Sequence, residues 1–210
     1  MLDNLADKVN KKHRMFHQKI KEIQIEPKIN EFYKIDDFSE EYSFVLKLLC
    51  EFVYVNDNIY RTLNVRKLLN FYENIKSNYE KININLDNKR IVEILQDLSV
   101  KNSDLVDIKW LEDKLFSSII VKPLLLFNYY KLYIENFEDF MDNLIRLIKE
   151  GNTDSFVIAS LMKVKLVVVN NILEYFMDKG KVNLMRYSGT PLPGGKSFII
   201  LKILGELDWK

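Results

Sequence analysis

Apolar residues recur at helical spacing through most of this chain. Leu2, Leu5, Val9, Phe16, Ile20 and Ile23 fall at intervals of three, four and seven, which predicts an amphipathic helix ending near Glu26-Pro27. Its polar face carries Lys8, Lys11, Lys12, Arg14, Lys19 and Lys21. The length suits a dimerising coiled coil, but Lys12 and Lys19 fall on the seam, which favours a helix docked on its own domain. A second helix is expected from Ser39 or Glu40 to about Tyr54. The run Phe52-Val53-Tyr54-Val55 leaves a strand possible at its end. A third helix is expected from Ile59 to about Lys81, followed by a linker over Ile82–Asn85. A fourth opens near Asp87 and carries Ile91, Ile94, Leu95 and Leu98. Ser103 or Asp104 caps a fifth, reaching Phe116 and continuing toward Val121, and Pro123 marks a boundary before Leu124–Tyr133. No repeat period is visible, and whether 87–117 holds a second helix-turn-helix stays open.

From Asn136 the punctuation becomes regular. Asn136 with Glu138 and Asp139 suits a helix start, Phe137, Phe140, Met141, Leu144, Leu147 and Ile148 share a face, and Gly151 ends the helix. Thr153 or Asp154 caps a short helix through Leu161. A tight turn at Met162–Lys165 follows, then a helix from Leu166 to about Asp178 that ends at Gly180. Asn183–Tyr187 and Ser197–Ile203 read as strands around the Pro/Gly-rich loop Ser188–Lys196.

Composition narrows the function classes. The chain has 210 residues, 48% of them apolar, enough for a sizeable core. Its net charge of +1 excludes a polybasic nucleic-acid binder but not a local basic patch. Segment 1–30 carries +3, 31–150 carries −5 and 151–210 carries +3, so positive charge collects at the two ends. A single cysteine favours a reduced compartment. With no signal-like or membrane-spanning run, a soluble cytoplasmic protein is expected, or a nuclear one in a eukaryote.

The order helix, helix, tight turn, helix, hairpin resembles the winged helix-turn-helix superfamily over about Asn136–Leu204. The residues that carry the likeness are Ile158, Ala159, Val164, Val169, Leu173, Phe176, Gly180 and Val182. Ala159 is small where helices cross, and Gly180 permits the reversal into the first wing strand. The turn lacks the glycine that many relatives have, so Lys163 or a neighbour must make it. The expected fold is therefore mostly α, with a helical domain over 1–130 and a winged helix-turn-helix with a β-hairpin wing over 131–210.

In DNA-binding members the third helix enters the major groove and the wing lies along the backbone. Carried onto this chain, the resemblance implies Lys163, Lys165, Val167, Val168, Asn170 and Asn171 on the helix side, and Arg186 and Lys196 on the wing, with Glu174 exposed beside them. Asparagine can bond adenine through two edges, lysine neutralises phosphate, and valine methyls can meet a thymine methyl. The leading expectation is a non-catalytic regulator of transcription, replication or partition that binds double-stranded DNA, with dimerisation expected through its N-terminal helices. The alternative is a scaffold subunit binding protein partners, because the order also resembles the PCI arrangement of a helical array before a winged helix. Val167 and Val168 favour that alternative, as does the lack of arginine on the third helix.

Other signals carry less. Gly189-Thr-Pro-Leu-Pro-Gly-Gly195-Lys196-Ser197 has one residue too many for a phosphate loop and no following helix. His13 and His17 share a helix face but lack further ligands, so no metal or other cofactor is expected. Cys50 reads as a space-filling thiol, and the Phe127–Tyr133 aromatics as a core seam rather than a base-stacking surface. The carboxylates, among them Asp104, Asp107, Glu112 and Asp113, show no acid/base or two-metal spacing, so no catalytic residues are assigned.

Overall fold

The structure is a computed structural model that describes residues 39–58, 60–76, 86–187 and 197–209. The expected N-terminal helix, with His13 and His17 and the homodimer contact, lies outside the described residues. So does the whole Pro/Gly-rich loop Ser188–Lys196.

The described chain is mostly helical, with two small antiparallel sheets. The elements in order are α1 (Glu40–Val55), β1 (Thr62–Asn64), α2 (Val65–Ile75), α3 (Asn88–Lys101), β2 (Val106–Lys109), a 3-10 turn (Lys114–Phe116), β3 (Ser118–Val121), α4 (Pro123–Tyr133), α5 (Phe137–Lys149), α6 (Ser155–Met162), α7 (Leu166–Asp178), β4 (Val182–Tyr187) and β5 (Ser197–Ile203). Among the described residues, no helix is long and apolar enough to cross a membrane.

Three expectations change in the first half. The third helix begins at Val65 rather than Ile59, because Thr62–Asn64 pairs with Ser118–Ile120 instead. Asn64 then caps α2 by accepting from the Lys67 amide at 2.8 Å. The expected fifth helix is absent. Residues 106–109 and 118–121 form a hairpin in which Val106 pairs with Val121 and Ile108 with Ile119. The β-branched residues there pack on a pleated surface more readily than on a helix, and a partner strand decides between the two. A helix-turn-helix within 87–117 is thereby excluded, since that stretch is one helix followed by the hairpin. Its start matches the sequence: Asp87 accepts from the Arg90 amide at 2.7 Å and caps α3. Asp87→Ala is expected to lower the denaturant-unfolding free energy by about 1 kcal/mol, as lost N-caps do.

The sequence shows no repeat, yet the element order occurs twice. α1-β1-α2-α3-β2-β3 is a helix, a short extended piece, two helices and a hairpin, in a sheet ordered β1-β3-β2. α5-α6-α7-β4-β5 repeats it, with Asp154 as the extended piece bridged to Ile199 of β5. The Ile200 amide donates to the Thr153 carbonyl at 2.8 Å, and the Phe198 amide to the Ser155 hydroxyl at 2.8 Å. In each unit the extended piece ties the second helix to the last strand, so the hairpin folds back on the helices.

Helix α4 joins the two units. Phe127, Tyr129 and Tyr130 are buried, and Phe127 stacks on Tyr175 of α7 with ring centroids 3.9 Å apart. Cys50 is fully buried with its thiol pushed well up by desolvation, consistent with a core thiol.

Candidate functional site

The face of α7 is where the winged-helix likeness places base-reading residues, so its surroundings decide what it can touch. The turn before it is built as the sequence requires. Lys163 takes a left-handed conformation (φ 57°), and the Val164 amide donates to the Ala159 carbonyl at 3.0 Å. Lys163 is exposed at the end of α6.

Past that turn the helix is enclosed. Val167 is 0% exposed, Val168 4%, and Asn170 and Asn171 0% each. α4 packs along one side of α7, and the C-terminal end of α1 also meets it. Asn171 Nδ2 donates to the Tyr130 hydroxyl at 2.9 Å. Lys165 is turned inward: its Nζ donates to the Tyr54 carbonyl at 2.9 Å, lies 4.5 Å from the centre of the Tyr54 ring and pairs with Asp57 at 3.5 Å. Glu174, expected on the surface, is buried against Arg61, with Nε–Oε2 at 2.9 Å. Arg186 on β4 is exposed and reaches the same carboxylate at 3.3 Å.

The DNA-reading assignment of Val167, Val168, Asn170 and Asn171 is therefore corrected. A residue without solvent access inside its own chain cannot meet a base edge. Lys165 is likewise committed to Tyr54 and Asp57, and Arg186 to Glu174. Among the described candidates Lys163 and Arg186 stand on the surface, and Arg186 also reaches the Glu174 carboxylate. The partners Tyr54, Asp57 and Arg61 were not assigned from sequence, whereas Tyr130 was read there as part of a core seam. A signal was present, since Leu166-Val167-Val168-Val169 makes a helix apolar on adjacent faces, and such a helix is buried on more than one side.

The equivalent helix of the first unit, α3, does face solvent, but its charges are balanced. Lys89 pairs with Glu93, Arg90 with Glu41 and Glu93, and Lys101 with Asp97, so each cation has a carboxylate beside it. Asp97 also accepts from the Tyr42 hydroxyl, and that bond with Lys101 holds its carboxyl below the ordinary range. A surface paired in this way offers little net field to a phosphate backbone.

No group of three or more His, Cys, Asp or Glu is placed to hold a metal among the described residues. A cavity of about 590 Å³ lies between α5 and the C-terminal tail, lined by Ile145, Ile203, Leu207 and Trp209 with Asp142 and Lys149 at its edge. Its lining contains neither histidine nor cysteine.

Burial raises the Glu174 carboxyl above its ordinary value, while Arg61 and Arg186 pull it back. The folded state thus holds that proton more tightly than the unfolded chain. Its stability contribution is fully present below the ordinary glutamate value and is lost as pH rises through the raised one. Glu174→Gln is expected to flatten that part of the pH dependence of the urea midpoint.

No protein-family model, curated protein or solved structure matches this chain.

Proposed function

We propose that this chain is a non-catalytic assembly subunit whose two units are both winged helices and whose outer faces bind protein partners. The observation that carries this is the enclosure of α7. The helix that would read DNA is instead used inside the chain to join one unit to the other. The second unit is then a rigid extension of the first, as suits a spacer or scaffold. Exposed apolar side chains on its hairpin and beyond it, Met185, Leu201, Ile203 and Leu204, supply contact surface of the kind protein partners use. The balanced ion pairs of α3 point the same way, since protein interfaces tolerate mixed charge better than a polyanion does.

Two measurements on the full chain test this. In a salt titration against mixed-sequence duplex DNA, no binding is expected even at low ionic strength. In crosslinking from native extract, a discrete set of proteins is expected to attach to the wild type and to be lost with Leu201→Asp/Ile203→Asp. Tight duplex binding that weakens steeply with salt and falls with Lys163→Glu would overturn the proposal.

A further inference from the structure

The junction between the two units has two chemically different parts. The apolar part, where Phe127 and Tyr130 of α4 meet α7, adheres strongly but is non-directional. The polar part runs along α7 through Lys165, Asn171 and Glu174, and each of these meets at least one residue from outside the second unit. At its end sits a triad drawn from three elements. Glu174 is 1% exposed and stands between Arg61, which precedes β1, and Arg186 of β4.

Arg61 is itself held from several directions. Its backbone is left-handed (φ 55°), a conformation that strains a non-glycine residue and persists only where the surroundings impose it. Its carbonyl accepts from the Val121 amide at 2.9 Å, and its Nη1 donates back to the Val121 carbonyl at 3.1 Å. The guanidinium is thus fixed to β3 of the first unit before it meets Glu174. Its Nε then lies 2.9 Å from Glu174 Oε2, a close charge pairing, so moving either unit separates two opposite charges held away from water.

We infer that the Arg61–Glu174–Arg186 triad is an orientation lock, fixing the angle at which the two units present their outer faces while the apolar seam supplies the adhesion. A buried ion pair commonly contributes little net stability over an apolar pair, but it rejects arrangements that would leave a charge unmatched. Rotation or sliding of α7 on α4 would strand Glu174 away from Arg61. The apolar seam by itself has no comparable penalty. This inference does not need the partner proposed above, because the angle belongs to the isolated chain.

The test measures the distance between spin labels on Asn70→Cys of α2 and Ser160→Cys of α6, both exposed positions in different units. Cys50 is fully buried and stays unlabelled. With the triad intact, one narrow distance is expected. With Arg61→Met/Glu174→Met, the chain is expected to keep its helical circular dichroism and cooperative melt while the distribution becomes about twice as wide or splits. Glu174→Gln, the milder change, should broaden it in the same sense. An unchanged narrow distance in a folded variant would overturn the lock. Loss of folding in both variants would overturn it too, by making the triad a requirement of the fold itself.

Discussion

Val167→Asp is expected to remove about 4 kcal/mol or more of folding free energy, a large share of what a domain of this size has. Val167 is 0% exposed, so the new carboxylate would be shut away from water. Chemical denaturation followed by circular dichroism measures this directly. Val157→Asp on α6 is the control, because Val157 is 43% exposed and a surface change there should stay within about 0.5 kcal/mol. The pair of results separates two views of α7. If α7 were a groove-reading helix, Val167 and Val157 would tolerate a carboxylate about equally. A mild effect at Val167 would also remove the ground for treating α7 as an internal joint.

The second large effect concerns Arg61. Arg61→Met is expected to cost about 3 kcal/mol near neutral pH, because it leaves the enclosed Glu174 carboxylate facing only the more exposed Arg186. The sign of its pH dependence is a further check. Burial already raises the Glu174 carboxyl, and losing a guanidinium raises it more. Acidification through that range should neutralise the stranded group and shrink the loss. Adding Glu174→Met to Arg61→Met should recover most of the stability, since an apolar pair of similar volume replaces two desolvated charges. A double-mutant cycle by urea titration at several pH values reads all of this. Equal losses across the pH range would show that Arg61 acts through its packing or backbone rather than its charge.

Much of the local structure was legible in the sequence. The helices over 137–149, 155–162 and 166–178 and the strands at 182–187 and 197–203 follow from a 3.6-residue apolar period, acidic first turns, Gly151, Gly180 and the switch to β-rich runs. Those signals act within a few residues, so a single chain segment carries them. The burial of Cys50 and of the Phe127–Tyr130 seam was legible for the same reason, as apolar residues on a periodic face. Residues 104–121 were read as helix because Ser103 or Asp104 suits a cap and no glycine or proline interrupts the run before Pro123. The hairpin there depends on β1, which lies more than forty residues away and left no mark in the local pattern.

The candidate site failed at the same boundary between local and distant information. Which residues lie on one face of α7 follows from helical geometry, and Asn170, Asn171 and Glu174 are polar enough to suggest water or a ligand there. What covers that face is set by α4, the Tyr54 carbonyl and Arg61, which come from 40 to more than 100 residues upstream. A partner inside the chain, such as the Tyr130 hydroxyl for Asn171 Nδ2, can engage a buried asparagine as a base edge would, so polarity alone does not tell an internal joint from an external contact. The sequence by itself determined where the helices and strands from 137 to 203 start and stop and which of their faces are apolar. Only the tertiary structure decided that two units share one element order and that the candidate reading helix closes the chain on itself, because packing partners are chosen by shape and charge across distances that no local period records.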